Sequence, residues 1–265
     1  MQSGGEEKGH MRFVAGALLF LLCCFPQPAL PLTTDEITTH QARLKGSPIA
    51  HRIAFWAELF IGTPYDTDPL GDYVRRAVIV ADERVDCMYL TFRTAELALT
   101  STPDEAVQKA LVMRFHTLGI TKDGRVVNYD ERYQDGGEMV SSGKYGDEIT
   151  NRLGKTRDIG DAAGKGIIRF LPGSELRKAA GALQTGDIIY FIRDPSRREA
   201  GEVVAHMGIV KVEESTGQSG RKVFLIHASG NKRRGGLVKK VPLDEYIAGM
   251  QHVGAKVSRF AESAR

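Results

Sequence analysis

Apolar positions spaced three and four apart dominate the first part of this chain, and short apolar runs between turn residues dominate the last. Thr33-Thr34-Asp35-Glu36 fits a capping box and predicts a helix toward Leu44, which Gly46-Ser47-Pro48 interrupts. Ile49, Ile53, Ala54, Ala57 and Phe60 then recur at helical spacing. That helix stops in Ile61-Gly62-Thr63-Pro64-Tyr65, because glycine ends helices and proline disfavours helix before it. Ala77–Val80 reads as a short strand leading to a third helix, mostly apolar or small from Leu90 through Leu99, with Asp86 as its N-cap. Thr102-Pro103-Asp104-Glu105 opens a fourth, with Val107, Ala110, Leu111 and Phe115 on one face.

Periodicity weakens between Gly119 and Gly181, where Gly136-Gly137 and Gly164-Lys165-Gly166 read as loops. Too few apolar runs occur there for a separate core, so this stretch reads as an elaboration of one domain. Beyond it, the runs 188–192, 207–212, 223–227, 237–241 and 256–260 predict strands, and their short turn-rich connections predict antiparallel pairing. Helices first and strands last imply an α+β fold, with N-terminal helices packed on an antiparallel sheet.

Residues 1–32 read as a signal segment and 33–265 as the mature domain. Lys8 and Arg12 precede the apolar run Phe13–Phe25, which is shorter than the roughly 20 apolar residues of a membrane span, and Pro26, Pro28 and Pro31 follow it. Met11 is a competing start, because Met11-Arg12 leads directly into the apolar run. The expected location is therefore outside the cytoplasm, in the periplasm or cell envelope. Cys23 and Cys24 raise the question of a lipid anchor; otherwise the membrane is a partner only through the signal. A net charge of +3, from 36 basic and 33 acidic residues, is too balanced for nucleic acid to be the main partner.

Of the 3 cysteines, only Cys87 lies beyond that segment, so the mature chain can form no internal disulfide. An unpaired thiol in an exported chain is worth flagging as reactive. Cys87 would sit in the first turn of a helix, where free backbone N–H groups favour a thiolate and Asp86 opposes one. The alternative is a small buried hydrophobe. Among 7 histidines, His206 opens the run Met207–Val210 and His227 closes Phe224–Ile226. A hairpin through 213–222 would bring both imidazoles to one end of the sheet. Thiol catalysis needs such a set: a sulfur nucleophile, an imidazole base and a polar group to orient it. Structural histidines at strand ends remain the alternative.

Taken in order, Gly62-Thr63-Pro64-Tyr65, Asp86-Cys87, Gly186-Asp187-Ile188-Ile189, His206-Met207-Gly208-Ile209 and Ile226-His227-Ala228-Ser229 resemble the NlpC-type cell-wall peptidases of the papain-like superfamily. Within it the chain is most similar to the N-acetylmuramoyl-L-alanine amidase-like subgroup. The resemblance spans roughly Phe60 to Tyr246. It implies a papain-like cysteine hydrolase without metal or other cofactor, acting on peptidoglycan or muropeptides at muramoyl–L-alanine or at γ-D-glutamyl to the diamino acid. It makes Cys87 the nucleophile, His206 the base and His227 the orienting group, with Asn231 as a substitute. Tyr65 would bind substrate or the oxyanion, and the Cys87 N–H is a second oxyanion donor. Asp187 would be structural. Arg197, Arg198, Lys232, Arg233, Arg234, Lys239 and Lys240 flank the site, as solvated loop charges or as attractors of substrate carboxylates.

The chain departs from the family in two places. Met88 and Tyr89 follow Asp-Cys where small residues are usual, and 21 positions separate His206 from His227, a longer interval than the family's. Other readings are a thiol-based lipid acyltransferase or thioesterase on the same fold, a zinc protein using Cys87, His206 and His227, and a wall-binding protein without activity. No close-spaced ligand pair such as H-E-x-x-H or C-x-x-C supports zinc. Gly160–Gly166 has neither the spacing nor the Ser or Thr of a phosphate-binding loop.

Overall fold

Short polar side chains at the helix starts lock the first third of the chain. The computed structural model describes residues 1, 31–160, 166–198, 202–214 and 220–262. Most of the signal segment, with Met11, Cys23 and Cys24, lies outside them. Thr33 and Glu36 form the reciprocal capping box of α1 (Thr34–Arg43). Helix α2 (Ile49–Leu59) follows Pro48 and buries Ile53, Ala54, Trp56 and Ala57. At Gly62 a φ of 92° turns the chain, and its N–H donates to the Val238 carbonyl at 3.0 Å. A single turn, α3 (Asp72–Arg75), precedes the central helix α4 (Cys87–Ala98). Asp86 caps α4 by accepting from the Tyr89 N–H at 2.8 Å. Thr102 caps α5 (Pro103–Met113) in the same way.

Helix α4 is buried from Tyr89 to Ala98, and its polar residues must therefore find partners inside. Glu96 accepts two bonds from Arg114 at 2.6 and 2.7 Å, and both side chains are essentially unexposed. The Arg114 guanidinium also donates to the Ile79 carbonyl and lies over the rings of Tyr73, Tyr89 and Phe92. One turn earlier, Arg93 meets both oxygens of Asp82 at 3.0 Å, and the Tyr89 hydroxyl donates to the same carboxylate.

The strand expected at Ala77–Val80 is absent. Ala77 adopts a φ of 55°, which breaks the extended backbone. The carbonyls around it go to partners outside any ladder: Ala77 to the Val126 N–H, Val78 to the Tyr129 hydroxyl and Ile79 to Arg114.

The next stretch supplies a small hairpin, β1 (Thr121–Lys122) with β2 (Arg125–Val126), then α6 (Gly136–Ser141), β3 (Asp147–Glu148), α7 (Thr150–Leu153), β4 (Arg157–Gly160), β5 (Ile167–Pro172) and α8 (Gly173–Ala179). The main strands follow: β6 (Ile188–Arg193), β7 (Val204–Glu214), β8 (Arg221–Asn231), β9 (Gly235–Pro242) and, after α9 (Leu243–Gly249), β10 (His252–Arg259). All pair antiparallel in the order β4-β5-β10-β6-β7-β8-β9, with β3 also on β10. The fold is thus α+β, as the order of patterns implied.

Side chains alternate across this sheet. Ile209, Ile226 and Ala228 face the core shared with α2 and α4, and Met207 packs with Phe92. Val210 and Leu225 face the other way, onto Leu176 of α8 and Leu243 and Ile247 of α9. The sheet is therefore covered on both faces, with α2 and α4 on one and α8 and α9 on the other.

Removing one partner of the buried pair leaves an uncompensated charge. Glu96→Ala is expected to lose about 3–5 kcal/mol in equilibrium denaturant unfolding. The apolar double replacement Glu96→Leu/Arg114→Met is expected to lose less than either single change.

Candidate active site

The site forms where the sheet forks. Among the described residues the β7–β8 ladder runs from Glu214↔Arg221 to Ile209↔Ile226 and goes no further. Beyond that point β7 stays with β6, through Phe191↔His206 and a register shift to Val204, while residues 227–231 of β8 stay with β9. Gly208 sits at the branch. A Cβ there would lie 2.6 Å from Leu225 Cδ1 and 3.0 Å from the Ile226 carbonyl oxygen, so the close approach requires glycine.

The two histidines flank the fork on the α9 face. His206 Nε2 lies 2.8 Å from His227 Nδ1, with the rings nearly perpendicular at 86°. Tyr246 of α9 walls them in, 5.0 Å from the His227 ring and 6.1 Å from that of His206. Together with Ser229, Gly230 and His252 they line an open cleft of about 310 Å³. The sulfur of Cys87 comes to the fork from α4. It meets the backbone N–H of Met207, the residue next to His206, and Cys87 is half-buried. Tyr65 stands on the other flank. Its N–H donates to the Gly236 carbonyl at 2.8 Å, it bridges to Val85 two residues before the thiol, and its ring rests on Gly230.

Electrostatics keep this set neutral at rest. Burial, with the neighbouring His227 and His252, pulls His206 down to about 3. Burial and Lys239 pull His227 down to about 4. Burial and the Asp86 carboxylate push the Cys87 thiol up to about 12, against the Met207 N–H, Lys232 and its own N–H. Burial, then Cys87, Asp86 and Asp66, raises Tyr65 above its ordinary range, so its hydroxyl remains a donor. Two neutral imidazoles in contact share one proton, so the tautomers are linked. If His206 Nε2–H donates to His227 Nδ1, His206 Nδ1 carries a free lone pair and can take a proton from a thiol.

His206 and His227 thus line one cleft, with Cys87 behind it at the Met207 N–H and Tyr65 against its Gly230 wall. Asn231 does not join them: it sits in the β8–β9 turn, and its Oδ1 accepts from the N–H groups of Arg233 and Arg234 at 3.0 and 2.9 Å. Asp187 is fully buried and paired with Arg259, a structural role. Several flanking cations are engaged in the protein: Lys240 with Glu58 and Glu213, Arg197 with Gln251, Arg198 with two backbone carbonyls. Among the described residues, no group of three His, Cys, Asp or Glu side chains converges as a metal site. Tyr246 and His252 escaped the sequence reading. Leu243, Tyr246 and Ile247 at helical spacing after Pro242 were the available signal for α9, but nothing local assigns that helix to the histidine face.

The sequence matches no family model and no curated protein. The fold matches solved structures. A crystal structure of an N-acetylmuramoyl-L-alanine amidase from Bacteroides uniformis aligns with a TM-score of 0.60 at 17% identity, covering 81% of this chain and 99% of that one. A Legionella pneumophila protein of the DUF1460 family model aligns with a TM-score of 0.60 at 16% identity, covering 86% of this chain and 95% of that one. This chain therefore has the fold of those two structures.

Both imidazoles are held below the ordinary histidine range, so below about pH 6.5 the unfolded chain binds protons that the folded one refuses. Their contribution to stability is complete above that pH and is lost as pH falls toward 4 and then 3. The calorimetric melting temperature is expected to drop between pH 7 and pH 4. A His206→Asn/His227→Asn variant is expected to drop less, which separates the histidines from the carboxylates.

Proposed function

We propose that this protein is a thiol-dependent amide hydrolase of peptidoglycan stem peptides, of the papain-like, NlpC type. The observation that carries this reading is the His206–His227 hydrogen bond at the sheet fork, beside a thiol on the first turn of a buried helix. Shared fold with an N-acetylmuramoyl-L-alanine amidase supports peptidoglycan as the polymer and an amide as the bond. Export through the N-terminal signal segment belongs to the same proposal.

His206 Nδ1 takes the Cys87 proton as the sulfur attacks the scissile carbonyl carbon. The resting pair is neutral, so proton transfer accompanies attack rather than preceding it. The carbonyl oxygen becomes an oxyanion, for which the Cys87 N–H at the helix start and the Tyr65 hydroxyl are the donors. His206, now cationic, is steadied through Nε2–H by His227 Nδ1. It gives its proton to the leaving amine as the C–N bond breaks and leaves a thioester on Cys87. Water then attacks the thioester with His206 again as base, releasing the acid and restoring the thiol. Removing the leaving amine at muramoyl–L-alanine frees an intact stem peptide. Cutting at γ-D-glutamyl frees the diamino-acid end of the stem and leaves L-Ala–γ-D-Glu on the muramoyl group.

Mass spectrometry of muropeptides digested by the purified protein tests this. Wild type is expected to release one of those two products, which also names the bond. Cys87→Ala is expected to lose activity about a thousandfold or more, and His227→Ala about a hundredfold or more, mainly in kcat. Equal product from wild type and Cys87→Ala would remove Cys87 as nucleophile. Intact muropeptides with both proteins would remove peptidoglycan as the substrate.

A further inference from the structure

The turn between β8 and β9 brings one cation to the nucleophile. The Lys232 ammonium lies 3.3 Å from Asp86 Oδ2, donates to the Asp66 carbonyl at 3.0 Å and stands 5.6 Å from the centre of the Tyr65 ring. These three contacts enclose the start of α4. Asn231 holds the turn in shape through its bonds to the next two amides, which fixes where the lysine stem begins.

We propose that Lys232 is a positioning residue for Cys87, neutralising the N-cap carboxylate of Asp86 so that negative charge can develop on the sulfur. The proposal deepens the thiol-hydrolase reading and rests on it. Its logic starts from a conflict in the sequence. Asp86 is needed to cap α4, yet its charge sits one residue from the thiol and opposes a thiolate. A cation paired with the carboxylate removes the conflict while leaving the cap intact, because Asp86 uses Oδ1 for the Tyr89 N–H and Oδ2 for Lys232. The contact with Tyr65 adds a second effect: it holds the proposed oxyanion donor beside the same charge.

Every charged or titratable group around the sulfur enters the test. Asp86 lies on α4's own cap, His206 next along β7 and Tyr246 on α9. Tyr65 and Asp66 lie in the segment after α2, and Lys232 in the turn. The readout is the rate of iodoacetamide alkylation at the Cys87 peptide between pH 7 and pH 10, followed by mass spectrometry on the full chain, so that Cys23 and Cys24 are counted separately.

Lys232→Met is expected to slow alkylation about three- to tenfold across the rising limb, a shift of roughly half to one pH unit. Lys232→Arg is expected to stay within about twofold of wild type, since it keeps the charge. Asp86→Asn keeps the cap and is expected to speed alkylation, and adding Lys232→Met to it is expected to change that rate by less than about twofold, since no carboxylate remains to neutralise. An unchanged rate in Lys232→Met overturns the proposal. So does a loss that persists undiminished beside Asp86→Asn, because it would mark a purely structural role. If Lys232→Met fails to fold, Asp86→Asn alone decides, and slower alkylation there overturns the proposal. No step of this measurement needs a muropeptide. Failure of the wall substrate therefore leaves it standing, and unmoved rates beside intact muropeptide cleavage overturn it alone.

Discussion

The bidentate bond between Glu96 and Arg114 fixes the helix on which the site depends. Taking both charges out of water is costly, and their attraction compensates only with good geometry and full use of the remaining donors. Here Arg114 spends those donors on Glu96 and on the Ile79 carbonyl, under three aromatic rings. The result is directional. An apolar helix of the same length could slide or rotate by a residue at small cost, whereas α4 is pinned by two ion pairs one turn apart. Its first residue is Cys87, so the register of this pair sets where the thiol meets the sheet.

The sheet supplies the other half of the arrangement. Had β7 and β8 stayed paired to their ends, α4 would have been separated from the α9 face by a continuous ladder. The fork beyond Ile209 opens that ladder, and Gly208 permits the close packing at the branch. A thiol delivered from one face then meets the strand residue next to an imidazole on the other. The desolvation that holds both imidazoles neutral belongs to the same enclosure, since Tyr246 covers them from α9. An unprotonated imidazole pair and an un-ionised thiol are the resting state from which the proposed hydrolysis starts.

Much of this was legible in the sequence because it rests on local rules. The box at Thr33, the caps at Asp86 and Thr102 and the strand runs from Ile188 onward all formed. The proximity of His206 and His227 followed from hairpin reasoning, despite the long interval between them. The failures share a cause. Ala77–Val80 is apolar enough for a strand, but distant Arg114 and Tyr129 bind its carbonyls. Asn231 has the chemistry to orient a histidine, but the turn two residues on claims its oxygen. In each case a partner far along the chain, or a competing local bond, decided the outcome.

The two halves also differ in how far along the chain their bonds reach, and that orders their assembly. The links that set α4 span 11 and 18 residues, and the histidine pair closes over 21. Joining β6 to β10 spans 68. Loop-closure entropy grows with span, so the α4 links and the histidine pair each cost less to close than the β6–β10 pairing. Cys87 and His206 lie on different elements, α4 and β7, so their meeting is a property of the finished fold, and a partly folded copy carries the residues without the arrangement.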